Sequence, residues 1–294
     1  MNSPSLASEL RGRAVRPCQD MARDDLSVAV PSDSELALFQ TLFKQQIGLH
    51  LSREKKVLLA SRLSRRIAEL QLSSFSEYHQ LITGRGGDAE RQYAIDLITT
   101  NETYFFRESQ HFDFLRQHIL TSWPAGEAFQ VWSAASASGE EAYSVAMVLD
   151  AVLGERPWRV FGSDISQRVL AQARRGLYPM ARGERIPPEY LRRYCLRGQG
   201  EYNGQFLVTR ALRERVTFAQ LNLTALPMRL GPFDLVLLRN VIIYFDPPTK
   251  LKVVGSVLQH LRPGGLLFVG HSESLNGMPL GLQMISPSIY RKLP

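Results

Sequence analysis

The period of the apolar positions changes once along the chain, near Gly126. Before that point the spacing is helical. In SDSELALFQTLFKQQIG, Leu36, Phe39, Leu42 and Phe43 share one face, Ser32 or Ser34 can accept a first-turn amide, and Gly48 stands past the end. A second helix is predicted over roughly 52–70, with Leu59, Leu63, Ile67 and Leu70 as its buried stripe. SFSEYHQLI and DAERQYAIDLIT read as two further helices around the loop 84–87, and SQHFDFLRQHILTSW as a connecting helix that stops before Pro124. The spacing therefore predicts a small all-helical N-terminal domain over 33–108, including the start of the linker helix. Residues 1–32 carry four Arg and four Asp/Glu without periodicity and are expected to form a disordered leader.

Beyond Gly126 short apolar runs alternate with amphipathic ones. FQVWSAA, WRVFGSD, FDLVLLRN and GGLLFVG read as strands, and EEAYSVAMVLDAVL and ISQRVLAQARRG as helices between the first of them. Near-continuous apolar strands in this alternation predict a parallel sheet covered on both faces, an α/β doubly wound domain over 109–294. One stretch breaks the rhythm: YCLRGQGEYNGQFLVTRALRERVTFAQ has β-rich pieces around glycine turns, which predicts a small antiparallel insertion at about 190–218.

Composition narrows the class. A chain of 294 residues with 44% hydrophobic residues is too long for a minidomain and too apolar for global disorder. No apolar run approaches the roughly 18 residues that span a bilayer, and the first residues lack a signal-peptide core, so a soluble, cytoplasmic protein is expected. Cys18 and Cys195 have no ligand or disulfide spacing, and no metal site is expected. The net charge of +7 is concentrated. Between 51 and 70 six Lys/Arg face only Glu54 and Glu69. Lys55, Arg62 and Arg66 fall within roughly 40° of one another on a helical wheel, with Arg65 further around. They make either a docking face for an acidic partner or a solvated helix surface.

In a doubly wound sheet a ligand lies at the carboxyl ends of the strands. SAASASGEEA, after the first strand, offers small residues and Gly139 for close approach of a backbone. Asp164 ends the second strand, where an acid can accept from both ribose hydroxyls of a nucleoside. This pattern fits NAD and S-adenosylmethionine alike, and Asp164 could instead cap the next helix.

TNETYFFRE at 100–108, WSAASASGEEAYSVAM at 132–147, LLRNVIIYFD at 237–246 and GHSESL at 270–275 resemble, in order and spacing, the signature blocks of the CheR family of chemotaxis receptor glutamate methyltransferases. The resemblance covers roughly residues 33–291. It implies an S-adenosylmethionine-dependent methyltransferase domain carrying a β-subdomain, with S-adenosylhomocysteine as product. Cofactor contacts are implied at Asn101, Thr103, Arg107, Glu141, Asp164, Asn222, Leu223, Arg239 and Asn240, with Glu140 adjacent to one of them. Arg107 and Tyr244 match a polar pair beside the transferred methyl.

The implied acceptors are glutamates in the cytoplasmic domain of methyl-accepting chemoreceptors; the inserted β segment has a turn, GQGEYNG, as short as in family members that grip the receptor's C-terminal peptide by strand addition. Neither nucleic-acid binding nor membrane insertion is implied. Lys55, Arg62, Arg65 and Arg66 become the receptor-docking face. Asp246, Pro247 and Pro248 resemble the DPPY motif of amino-methylating enzymes but lie past the strand end, where they start a helix. His271 is expected to be structural. Two other classes share the sequence features: an RNA methyltransferase using the basic helix, and an adaptor without turnover.

Overall fold

A computed structural model describes residues 30–120, 123–124 and 126–294; the leader expected over 1–32 lies outside the described residues as far as position 29. Helix α1, Asp33–Ile47, opens on a reciprocal cap in which Ser32 Oγ accepts from Glu35 N and the Glu35 carboxylate accepts from Ser32 N. It ends at Gly48, whose positive φ of 73° lets its N–H reach back to Lys44 O. A 3₁₀ turn, Arg53–Lys55, leads into α2, Lys56–Glu69, followed by α3, Phe75–Thr83, and α4, Asp88–Ile98. Phe39, Phe43, Leu59, Leu63, Tyr78 and Ile82 are completely buried between them. The predicted stripe of α2 packs inward except at Leu70, which is half-buried beyond the last turn.

The connecting helix is shorter than its sequence predicts. Helix α5, Gln110–Phe114, passes into a π turn over Leu115–Ile119. That pitch brings Leu115 and Leu120, five residues apart, both into the core.

The α/β part follows as β1, Phe129–Ser133; α6, Glu140–Leu153; β2, Trp158–Asp164; α7, Gln167–Arg175; β3, Leu177–Pro179; α8, Pro188–Tyr194; β4, Cys195–Arg197; and β5, Gln205–Val208. It continues with α9, Arg210–Arg213; β6, Val216–Gln220; β7, Phe233–Leu238; α10, Pro247–Gln259; β8, Leu261–Val269; β9, Leu282–Ser286; and β10, Ile289–Lys292. The main sheet runs β6-β2-β1-β7-β8-β10-β9. Its first five strands pair parallel, and β10 is wedged antiparallel between β8 and β9. Every residue of β7 is buried, as a strand covered on both faces requires. No helix among the described residues is long and apolar enough to cross a membrane.

The antiparallel insertion is real but lies differently from the predicted 190–218. A second sheet of order β3-β5-β4 takes its first strand from Leu177–Pro179, upstream of that range. VTFAQ belongs to the main sheet as β6. The reason lies in Gly162 of β2: a Cβ there would sit 2.5 Å from the Phe218 ring, so the absent side chain is what admits Phe218 beside the strand.

The helical domain is bolted to the α/β domain at several points. Asp96 accepts from Gln167 N and Arg168 N at the start of α7. Asn222 Nδ2 donates to Gln46 O at 2.6 Å, His50 N to Tyr244 O at 2.9 Å, and Lys44 pairs with Asp246 at 2.7 Å. Asp246 caps α10 by accepting from Thr249 N, with Pro247 and Pro248 in the first turn, as expected.

Close packing surrounds Gly139. With φ +96° it precedes α6, and a Cβ would meet Ala173 Cβ at 2.9 Å and Tyr178 OH at 3.0 Å. Its role is to let α6, α7 and β3 close up. Gly139→Ala is therefore expected to cost more stability than Gly264→Ala, where φ is also positive but nothing lies within 4 Å. Backbone strain of about 1–3 kcal/mol is common to both, so the difference in denaturant midpoints reads the clash alone.

Candidate active site

A pocket opens at the carboxyl ends of β1, β2, β6 and β7 and is closed from the other side by the helical domain, including Leu49, Lys55 and Leu58. It is lined by Asn101, Thr103, Arg107, Glu141, Asp164, Asn222, Leu223, Arg239 and Asn240, and by Tyr244. Residues from blocks nearly 140 positions apart in sequence thus meet in one cavity.

Asp164 is 7% exposed at the end of β2. Its Oδ2 accepts from Ala137 N at 3.0 Å and its Oδ1 from Ser166 N at 2.9 Å. Burial pushes its carboxyl above the usual range, and these amides oppose the shift. The cap of α7 is Ser166, which accepts from Val169 N, so Asp164 is left facing the pocket.

The adjacent acids Glu140 and Glu141 point apart. Glu141 lines the pocket, accepting from Ser133 Oγ at 2.6 Å and from Arg239 Nη1 at 3.1 Å. Glu140 turns to Ser138 Oγ at 2.6 Å and Arg182 at 3.5 Å. Burial raises both carboxyls.

Arg239, 4% exposed, is the hub. Its guanidinium bridges Glu141 to Glu108, at 3.0 Å from Glu108 Oε2, and also donates to the Arg107 carbonyl. Glu108 was not singled out in the sequence, although it ends the TNETYFFRE block. Burial pushes its carboxyl up, but Arg239 and hydrogen bonds from His271 N and the Asn240 side chain more than reverse this and hold it below its ordinary value. Glu273, in GHSESL, was missed likewise. Its carboxylate accepts from Asn240 N and Gly270 N, each at 2.7 Å, and from Ile243 N at 3.2 Å, fixing the loops after β7 and β8. His271 serves this frame through its backbone N–H.

Glu108, His111 and His271 bring their donor atoms within 4.8 Å of one another, the composition of a metal site. Arg239 already lies against the same Glu108 oxygen, and a second cation would face it at close range.

Around the pocket, Arg107 donates to Glu102 O at 2.9 Å, and its other N–H groups make no hydrogen bond among the described residues. Tyr244 sits half-buried on the 3₁₀ turn Ile242–Tyr244. The side chain of Asn222 is occupied by Gln46 and Thr224, so it holds the domains together.

Of the expected basic face, Lys55 is exposed at the pocket, Arg65 is exposed and pairs along its own helix with Glu69, and Arg62 has no charged partner among the described residues. Arg66 does not belong with them. It forms a two-point pair with Glu90 on α4, at 2.7 and 2.9 Å, and lies over the Tyr93 ring. Its charge is spent inside the helical domain.

The chain-order sequence of strands across the main sheet, 3-2-1-4-5-7-6 with the seventh reversed, departs from the dinucleotide order 3-2-1-4-5-6 that the motif left open. With a carboxylate-lined pocket at the switch point, fold and site define an S-adenosylmethionine-dependent methyltransferase. Residues 101–290 match the CheR methyltransferase SAM binding domain and residues 34–99 the CheR methyltransferase all-alpha domain. The chain is 38% identical over 262 residues to the chemotaxis protein methyltransferase of Escherichia coli, covering 88% of this chain and 91% of that one. It is 40% identical over 246 residues to chemotaxis protein methyltransferase 2 of Pseudomonas aeruginosa, covering 83% and 87%. The chain belongs to the CheR methyltransferase family.

Arg239→Met is expected to destabilise the fold by about 3–5 kcal/mol, because it strands two buried carboxylates, and adding Glu108→Gln should recover part of the loss. Chemical denaturation of the single and double variants checks this; a single variant as stable as wild type would remove Arg239 from its central place.

Proposed function

We propose that this protein transfers a methyl group from S-adenosylmethionine to glutamate side chains of bacterial chemoreceptors in the cytoplasm, forming γ-glutamyl methyl esters. The observation that carries this reading is the convergence of Asp164, Glu141, Arg107 and Tyr244 on one pocket between a helical domain and the switch point of the sheet. In this reading the helices of 33–98 cover the site, and the segment 101–108 carries it together with 109–294.

The pocket suits the cofactor's chemistry. Three carboxylates, Glu102, Glu141 and Asp164, face a cationic ligand, and the lone pairs that Asp164 keeps can accept ribose hydroxyls. Ala134, Ala135 and Ala137 leave room beside it, and Leu49 and Leu223 offer apolar surface for a base. When bound, S-adenosylmethionine supplies an electrophilic methyl on a sulfonium.

A glutamate with an ordinary pKa of about 4.3 is ionised at neutral pH, so the acceptor needs no general base. What the chain must supply is aim and dryness. Arg107 has donors to spare for one carboxylate oxygen, and the Tyr244 hydroxyl can hold the other, directing a lone pair at the methyl. The helical domain excludes water, which weakens solvation of the nucleophile.

Lys55, Arg62 and Arg65 form the proposed receptor-docking surface, steering an acidic partner toward the pocket that Lys55 borders. The open edge of β4 offers strand addition to a receptor's C-terminal peptide. Withdrawal of Arg66 shortens the basic stripe that a phosphate-binding alternative would use.

Two outcomes test this. Asp164→Ala should weaken S-adenosylhomocysteine binding by roughly 1.5–3 kcal/mol in calorimetry. Arg107→Ala and Tyr244→Phe should instead lower the rate of alkali-labile methylation of receptor fragments while melting normally. Wild-type rates in both would take them out of the chemistry, and labelling of RNA in place of receptor would overturn the assignment. Reversing Arg62 and Arg65 together to Glu should slow receptor methylation at low salt and leave cofactor affinity unchanged, the deficit shrinking as salt rises. A salt-independent deficit would remove the steering role.

A further inference from the structure

Nothing holds the Tyr244 hydroxyl: it lines the pocket, and among the described residues its phenol oxygen makes no hydrogen bond. The aim of the ring is therefore set by the backbone that carries it. That backbone is the 3₁₀ turn Ile242–Tyr244, in which Tyr244 N donates to Val241 O at 3.2 Å and the Tyr244 carbonyl accepts from His50 N at 2.9 Å. A single 3₁₀ turn holds itself poorly, because its first N–H groups have no partner inside it. Ile242 packs into the core, but the Ile243 side chain is 52% exposed and anchors nothing. What anchors Ile243 is its N–H, which donates to Glu273 Oε1 at 3.2 Å.

Glu273 is 5% exposed and stands in the loop after β8. Its two oxygens have separate tasks. Oε2 accepts from Asn240 N and Gly270 N, both at 2.7 Å, and so joins the loops after β7 and β8 to each other. Oε1 accepts from Ile243 N, one residue before the tyrosine.

We propose that Glu273 is a positioning residue for methyl transfer: through the Ile243 N–H it fixes the turn that carries Tyr244, and with it the direction of the hydroxyl. This rests on the reading of Tyr244 as a group that holds the acceptor carboxylate. The division between the two oxygens separates this task from the joining of the loops. Glutamine at 273 has the same shape, but one carbonyl oxygen and one NH₂. The oxygen belongs where two N–H groups converge, which leaves the NH₂ facing Ile243 N, donor against donor. The loops stay joined while the turn under Tyr244 is released. A misplacement of about 1 Å can cost on the order of 10²-fold in rate, so a partial release is expected to cost about tenfold.

The test is a double-mutant cycle on alkali-labile methylation of a receptor cytoplasmic fragment, with Glu273→Gln, Tyr244→Phe and the two combined. Glu273→Gln should lower kcat about tenfold, with KM for the fragment, S-adenosylhomocysteine affinity and melting temperature close to wild type. Introduced into Tyr244→Phe, the same change should lower kcat no further, because the hydroxyl it would misdirect is already gone. Amide hydrogen exchange should show protection lost at Ile243 and kept at Asn240 and Gly270. An unchanged kcat in Glu273→Gln overturns the proposal, as does the same tenfold loss in the Tyr244→Phe background, which would mean that Glu273 acts independently of the tyrosine. Failure of Glu273→Gln to fold overturns it too, since the role is then structural. A wild-type rate in Tyr244→Phe alone is a different result: it sinks the reading of Tyr244, and the positioning role with it.

Discussion

A buried guanidinium needs partners, and in this protein the partners define the site. Arg239 stands at the end of β7 with Glu141 on one side and Glu108 on the other. One acid comes from the first turn of α6 and the other from the segment joining the two domains. Removing a charge from water is costly unless it is matched by opposite charge and hydrogen bonds at close range, so the three groups hold each other in place. The polypeptide carrying Arg107 is fixed by the same contact, since its carbonyl accepts from Arg239. The reactive edge of the pocket is therefore positioned from beneath, by an electrostatic triad that itself lies against the cavity.

The helical domain supplies the opposite wall. Its attachment uses short polar contacts at the rim, including Asn222 to Gln46 and His50 to Tyr244, with the glycine at the end of α1 packed against Thr224 and Thr249. A Cβ on that glycine would lie 2.7 Å from the Thr224 methyl, so the domains meet at backbone distance. Enclosure of this kind strengthens every charged contact within the pocket. It also explains why a residue such as Asn222 lines the cavity and yet spends its amide on the neighbouring domain.

Much of this was legible from local pattern. The limits of α6 and β2 follow from one apolar face, a glycine and an acid at the boundaries, all within a few residues. What escaped reading depends on distant partners. VTFAQ joins the main sheet because Gly162, more than fifty positions earlier, leaves space for Phe218. LYP is too short to display alternation, so β3 is visible only beside β5. Arg66 looks like surface charge until Glu90, on another helix, is brought to it. Glu108 and Glu273 lay within the recognised blocks, but a motif read for its ligand contacts hides the residues that hold those contacts steady.

Glu273 carries a consequence for the rim of the pocket. Past Leu238 and Val269 β7 and β8 no longer pair with each other, and the amides of Asn240, Ile243 and Gly270 would otherwise need other acceptors. One carboxylate takes all three, acting as a surrogate rung that prolongs the ladder through a loop. Gly270 makes the fit possible, because a Cβ there would stand 2.5 Å from the Asn240 side chain. The rim thereby inherits the rigidity of a sheet without its geometry, and Asn240 can keep a left-handed φ of 56° that a freely moving loop would relax.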